Sequence, residues 1–187
     1  MKTMKVVIPG VLTTVQDLGR FGYQKSGMTC SGVMDTAAYR KANYLVGNEE
    51  GAAVLEMTLY GGSCRFEEDT VIALTGADMQ PTVNQKPIAM NQAVKVPAGG
   101  VLNLGMAKTG CRTYLAVAGG FEVPKVMGSY STNLKCGIGG HEGRALQMGD
   151  ELPIGEALHS WDEVKDRKVS VPDSPKEVLV SVVPGPQ

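Results

Sequence analysis

Ala53-Val54-Leu55-Glu56-Met57-Thr58-Leu59-Tyr60 is the stretch whose period decides the fold class. Leu55, Met57 and Leu59 fall on one face of an extended chain, and Val54, Glu56, Thr58 and Tyr60 on the other. Similar short runs lie on both sides. Residues 5–8 and 12–15 read as strands around Pro9-Gly10, and residues 70–74 as a buried strand ending in Thr75-Gly76-Ala77-Asp78. Thr82-Val83 and residues 86–88 flank Asn84-Gln85, a hairpin tip, while residues 92–96 and 101–104 flank the turn Pro97-Ala98-Gly99-Gly100. Residues 112–118 form the next strand and residues 146–154, with Gly149-Asp150 inside, a closing hairpin. With 24 glycines and 10 prolines punctuating these runs, the expectation is a mainly β domain. One helix interrupts it, over residues 36–46. Asp35 is its N-cap, Ala38, Ala42, Leu45 and Val46 form its apolar stripe, and Gly47-Asn48 ends it.

Composition narrows the function classes. The chain has 187 residues, a formal net charge of -1 and ordinary hydrophobic (43%) and charged (20%) fractions, which suits one domain with a real core. No basic stripe is present and aromatics are few, so nucleic acid is not an expected partner. No apolar run approaches the roughly 18 residues of a membrane helix. Four cysteines without C-x-x-C spacing and two histidines (His141, His159) do not make a zinc site, and the N-terminus lacks the long apolar core of a signal peptide. Reduced thiols in a cytoplasm follow as the expectation. From residue 160 the chain turns strongly charged and then Pro-containing. Residues 1–159 are therefore read as the β domain, 160–177 as a linker, and 178–187 as a fresh strand. That strand either pairs back or begins a second half.

Three segments carry candidate chemistry. Val15-Gln16-Asp17-Leu18-Gly19-Arg20-Phe21-Gly22-Tyr23-Gln24, continuing to Ser31-Gly32-Val33-Met34-Asp35, concentrates polar groups and glycines with little apolar pattern. It is expected to be a loop outside the core. Arg20 could clamp a carboxylate or phosphate with parallel N–H bonds, and Asp17 and Asp35 could orient it or act as bases. Alternatively, Asp17 and Arg20 belong to an internal network and Asp35 only caps the helix. The second segment, Gly137-Ile138-Gly139-Gly140-His141-Glu142-Gly143-Arg144, could form an anion nest, but lacks the Lys-Ser/Thr of a P-loop. Ser129, Ser131 and Thr132 just upstream add hydroxyls for a polar substrate or for turns. The third comprises Glu56 on its strand and Asp78 after a strand end, each placed as a base at a barrel mouth or as an ordinary surface or Asx-turn residue. Arg112 and Tyr114 share a strand face and could floor a pocket. Cys30 has no neighbouring His in sequence to activate it.

These segments resemble one family. The stretches 15–24 and 31–35, Ala42-Asn43-Tyr44-Leu45-Val46-Gly47-Asn48, 55–62, 73–78, 114–120, 128–133 and 139–144 with Gly149-Asp150 are similar, in order, to the biotin-dependent carboxyltransferase family, also called allophanate hydrolase subunit 2. That family includes the C-type subunit of 5-oxoprolinase. The resemblance implies a cyclophilin-like β-barrel with one or two short helices, followed in family members by a second β-rich half. It implies a B-type partner of similar barrel fold (allophanate hydrolase subunit 1-like) and a third 5-oxoprolinase subunit. The implied activity is ATP-dependent hydrolysis of 5-oxoproline to L-glutamate. ATP with Mg would be the cofactor; for that chemistry, residue type and loop context single out Asp17, Arg20, Asp35, Glu56 and Asp78 for catalysis. Gln16, Ser129, Ser131, Thr132, Gly139, Gly140, His141 and Arg144 would bind substrate or nucleotide. Two alternatives share these motifs: carboxyl transfer from biotin to urea, with the biotin carrier elsewhere, and a non-enzymatic antagonist of a histidine-kinase inhibitor.

Overall fold

Leu59 splits the decisive stretch into two strands of different sheets. Its backbone has φ of +61°, in the left-handed region that a γ-branched residue rarely adopts. The chain turns a corner there and passes from one sheet to the other. The computed structural model describes residues 2–170, 177 and 179–186. In chain order its strands are β1 (Thr3–Ile8), β2 (Leu12–Gln16), β3 (Val54–Thr58), β4 (Tyr60–Phe66), β5 (Thr70–Asp78), β6 (Thr82–Val83), β7 (Lys86–Pro87), β8 (Ala93–Val96), β9 (Val101–Met106), β10 (Thr109–Val117) and β11 (Glu151–Pro153). Helix α1 (Thr36–Val46) and the short α2 (Trp161–Val164) complete it. One antiparallel sheet runs β11-β1-β4-β9-β6-β7, the other β2-β3-β10-β5-β8.

The two sheets close on one core. Met4, Val6, Phe66, Leu102 and Leu104 of the first sheet meet Val15, Leu55, Met57, Ile72, Leu74 and Leu115 of the second. The second sheet is buried on its other face too, because α1 lies across it. Ala38, Tyr39, Ala42, Leu45 and Val46 pack on Val54, Ala73, Tyr114 and Ala116. Fully burying Leu45 and Val46 contributes about 2 kcal/mol each. The helix is stopped as its sequence requires: the Asp35 carboxylate accepts from the Ala38 N–H at 2.9 Å, and Gly47 takes φ of +76° to close the C-terminus. Two asparagines pin its far end. Asn43 donates to the carbonyl of Ala52, and Asn48 donates to that of Val117 while accepting from the Gly119 N–H. The mainly β, barrel-class expectation with one or two short helices therefore holds.

Several boundaries differ from the expectation. Residues 75–78 continue β5 instead of ending it, since Thr109 and Thr113 of β10 pair with Asp78 and Gly76. Residues 146–154 do not pair with themselves: β11 joins β1 across the sheet, Lys5 facing Glu151. The charged stretch after residue 159 does not begin as a linker. Glu163 accepts from the N–H and hydroxyl of Ser160, α2 follows, and Val164 is buried. Residues 167–169 then run antiparallel to residues 91–93, with the Val169 N–H on the Asn91 carbonyl and Arg167 donating to the Tyr44 carbonyl. Of the terminal strand read from the sequence, Val178 and Gln187 lie outside the described residues, as do residues 171–176. Residues 179–186 carry no strand, and Leu179, Val182 and Val183 are exposed.

Candidate functional site

The polar segment at residues 15–35 divides in two: residues 21–27 lie exposed outside the core, as expected, but its opening residues do not. Val15, Gln16, Asp17 and Arg20 are all buried, Arg20 with 1% of its surface exposed. The Asp17 carboxylate accepts four hydrogen bonds: from the hydroxyls of Ser129 and Ser131, the Tyr130 N–H at 2.7 Å and the Gly19 N–H at 2.8 Å. Burial pushes this carboxyl up, but the four donors outweigh burial and leave it below its ordinary value. Arg20 donates to the carbonyl of Ser131 and to the Ser31 hydroxyl, with the Val126 carbonyl at 3.5 Å from its Nε. Gln16 donates to Thr14 and to the Thr132 carbonyl, and the Thr132 hydroxyl donates to the carbonyl of Val15. These residues join the chain's front loop to residues 126–132. The geometry follows the internal-network alternative: each Arg20 nitrogen and the Gln16 amide nitrogen bond within the chain, although Gln16 Oε1 is buried without a partner.

The glycine segment is engaged in the same way. Gly137, Gly140 and Gly143 N–H groups donate to the carbonyls of Asn133, Tyr130 and Gly139. A Cβ on Gly139 would overlap the Ser131 carbonyl, and one on Gly143 the Gly137 carbonyl. The glycines thus permit close backbone packing. Arg144 holds both oxygens of Asp150, at 2.7 and 2.9 Å, and also Glu142. That clamp draws the Asp150 carboxyl down to about 2. His141 Nε2 sits 3.5 Å from Asp150. The N–H groups of Gly137, Gly140 and Gly143 thus serve the chain's own turns, and Arg144 its own carboxylates. Asp78 makes an Asx turn with the Gln80 N–H, away from the other candidates. Among the described residues no cluster of three or more His, Cys, Asp or Glu could hold a metal ion.

A neighbouring assembly keeps unsatisfied capacity on a charged group. The loop 31–35 runs beside the buried hub and deals out its groups in order. Ser31 meets Arg20, and the Val33 N–H meets the Asp17 carbonyl. The Met34 N–H meets Glu56 Oε2 at 2.8 Å, and the Asp35 N–H meets the Tyr114 hydroxyl at 2.8 Å. That hydroxyl in turn donates to Glu56 Oε2 at 2.8 Å. Glu56 and Tyr114 face each other across β3 and β10, and Thr58 and Arg112 do so one pair further on. Burial first, and then the Glu56 carboxylate, raises the Tyr114 phenol above its ordinary value, so it stays a proton donor to Glu56. Arg112 Nε lies 3.3 Å from Glu56 Oε1, near enough for an ion pair but off the line of a hydrogen bond. The Glu56 side chain is 12% exposed and that of Arg112 30%.

Glu56 is thus a carboxylate with one oxygen fixed and the other open beside a guanidinium. Such a pair offers an acceptor and a donor next to each other, the complement of an N–H beside an oxygen. Asp35 contributes through its backbone and as the helix cap; its carboxylate serves Ala38. Among the residues proposed from sequence, Glu56 and Asp35 come together, whereas Asp17, Arg20, Gln16 and Thr132 support them from behind, and Asp78, His141 and Arg144 lie elsewhere. Tyr114 and Arg112 complete the site. The signal for them was the period of two on residues 112–118, read against the same period around Glu56. A separate groove of about 270 Å³, bordered by Glu49, Glu122, Lys125, Tyr130, Glu156 and Leu158, contains none of the candidate residues. No helix among the described residues is long and apolar enough to cross a membrane.

Comparison with known proteins gives this arrangement a family. The model for the carboxyltransferase domain, subdomain A and B, matches residues 26–187. The chain is 47% identical to the C-type subunit of 5-oxoprolinase from Escherichia coli, over 88% of its own length and 53% of that protein's. It is 39% identical to urea amidolyase of Saccharomyces cerevisiae over 97% of its length and 10% of that protein's. The crystal structure of the K. lactis urea amidolyase superimposes with a TM-score of 0.80 at 38% identity, over 92% of this chain and 10% of that one. The chain thus spans about half the length of the 5-oxoprolinase relative and a small part of the amidolyases. By sequence along most of its length and by the arrangement of its two sheets, the chain belongs to the carboxyltransferase-domain family.

Proposed function

We propose that the chain is the front half of a subunit of an ATP-dependent 5-oxoprolinase, which opens the lactam of 5-oxoproline to give L-glutamate. The observation that carries this reading is the 47% identity to the C-type 5-oxoprolinase subunit, over roughly half of that protein's length. The Glu56–Arg112 pair supports it, since an open carboxylate oxygen beside a guanidinium suits a ring amide. In this reading Glu56 Oε1 accepts from the ring N–H and so orients the lactam, while Tyr114 and the Met34 N–H hold Oε2 still. A second β-rich half, a B-type partner of barrel fold and a third subunit would complete the enzyme. ATP with Mg would activate the lactam oxygen. Four free thiols agree with a cytoplasmic setting.

A second reading, carboxyl transfer between biotin and urea, is favoured by the likeness to the K. lactis amidolyase, whose name states its urea chemistry. ATP consumption by the full-length protein mixed with its partner subunits separates the two. Turnover with 5-oxoproline and none with urea upholds the proposal, and turnover with urea alone replaces it. Silence with both substrates in a tight complex would point instead to a regulatory protein that sequesters its partner.

A further inference from the structure

We infer that Arg112 anchors the carboxylate of the substrate and so sets its specificity. This rests on the 5-oxoprolinase reading and adds a role that the fold alone does not assign. Arg112 is held at one corner only, by Glu56 Oε1 at 3.3 Å from its Nε. A further contact is weak, Nη1 to the Cys111 sulfur at 4.0 Å. Among the described residues the terminal N–H groups therefore have no carboxylate or carbonyl to bind, although the side chain is only 30% exposed. Arg20 and Arg144, by contrast, are filled by carbonyls and carboxylates of the chain itself. A half-buried guanidinium with a free edge is built for a planar oxyanion.

The neighbour defines which oxyanion. Glu56 Oε1 offers an acceptor within 3.3 Å of the guanidinium, so the ligand must present an N–H close to its carboxylate. A cyclic amide with a carboxylate on the carbon next to nitrogen does this: its N–H meets Glu56 and its carboxylate meets the Arg112 edge. Urea carries N–H groups but no carboxylate, and leaves Arg112 unused. A site that supplies a charged partner for one group discriminates strongly against ligands lacking it.

The test uses the full-length protein with its partner subunits and compares Arg112→Gln and Arg112→Lys with the wild type. Loss of a charge-assisted bond predicts that Arg112→Gln raises KM for 5-oxoproline about 10- to 100-fold while kcat stays within about 5-fold. Arg112→Lys, which keeps the charge but not the fork, is expected to raise KM by about 3- to 10-fold. Thermal melting checks that both variants fold; if the Gln variant does not, the Lys variant decides. An unchanged KM in a folded variant, or a loss confined to kcat, overturns the inference while leaving the 5-oxoprolinase reading in place. A wild-type complex with no turnover of 5-oxoproline overturns that reading and the inference together.

Discussion

Replacing Asp17 by Asn tests whether the front loop is held by a buried charge hub. The carboxylate takes four hydrogen bonds, two from hydroxyls and two from backbone N–H groups, with 6% of the residue exposed. Asn keeps one acceptor oxygen, which can serve the hydroxyls of Ser129 and Ser131. Its amide nitrogen then faces the Tyr130 N–H, donor against donor. Weakening of a charge-assisted bond costs about 1.5–3 kcal/mol and the orphaned N–H about 1–3 kcal/mol, so a loss of about 3–5 kcal/mol is expected. At an m-value of about 2.5 kcal/mol/M, that is a fall of roughly 1–2 M in the urea midpoint. The loss also depends on pH. The folded carboxyl lies below its unfolded value near ~3.9, so its stabilisation is present above that pH and fades as pH falls through the folded value. The gap between wild type and variant should therefore narrow below about pH 4. A midpoint change under about 0.4 M, corresponding to about 1 kcal/mol, would refute the hub.

Three further predictions concern the loops and the corner. Gly143→Ala, whose Cβ would overlap the Gly137 carbonyl, should cost more than about 3 kcal/mol in thermal denaturation. Gly137→Ala, with open space around its Cβ, should cost only the roughly 1–2 kcal/mol of a left-handed non-glycine residue. Leu59→Gly should leave stability unchanged or raise it by up to about 1 kcal/mol, because the residue is 44% exposed and sits at φ +61°. A clear loss by urea unfolding would mean that Leu59 packs against something that holds the corner. The Arg144–Asp150 clamp, with the carboxyl drawn to about 2, should add stability above about pH 4 that disappears as pH falls towards 2. Asp150→Asn should flatten that part of the pH profile, by about 1 kcal/mol given the exposure of Arg144.

Sequence and structure agree most closely on α1, from the Asp35 cap to the Gly47 stop, because capping and amphipathic spacing are local properties of the chain. They agree on the hairpin tip at Asn84-Gln85 for the same reason: both residues take positive φ, as a tight turn between paired strands requires. They part at Leu59, where alternation continues in sequence but a single left-handed residue moves the chain to another sheet. They part again at Asp17 and Arg20. A polar, glycine-rich stretch reads as exposed, yet residues 126–132, over a hundred positions away, supply the hydroxyls and carbonyls that allow its charges to be buried.

By itself, then, the sequence determined the β period, the single capped helix, the turns and the family, all of which are written in near-neighbour spacing or in ordered motifs. Only the tertiary structure decided which charged residues are spent and which are free. Whether a buried charge is tolerable depends on partners that strand pairing brings from distant positions. Arg20 and Arg144 found theirs within the chain. Arg112 found only part of one, and that unfilled edge beside Glu56 is where the chemistry is best sought.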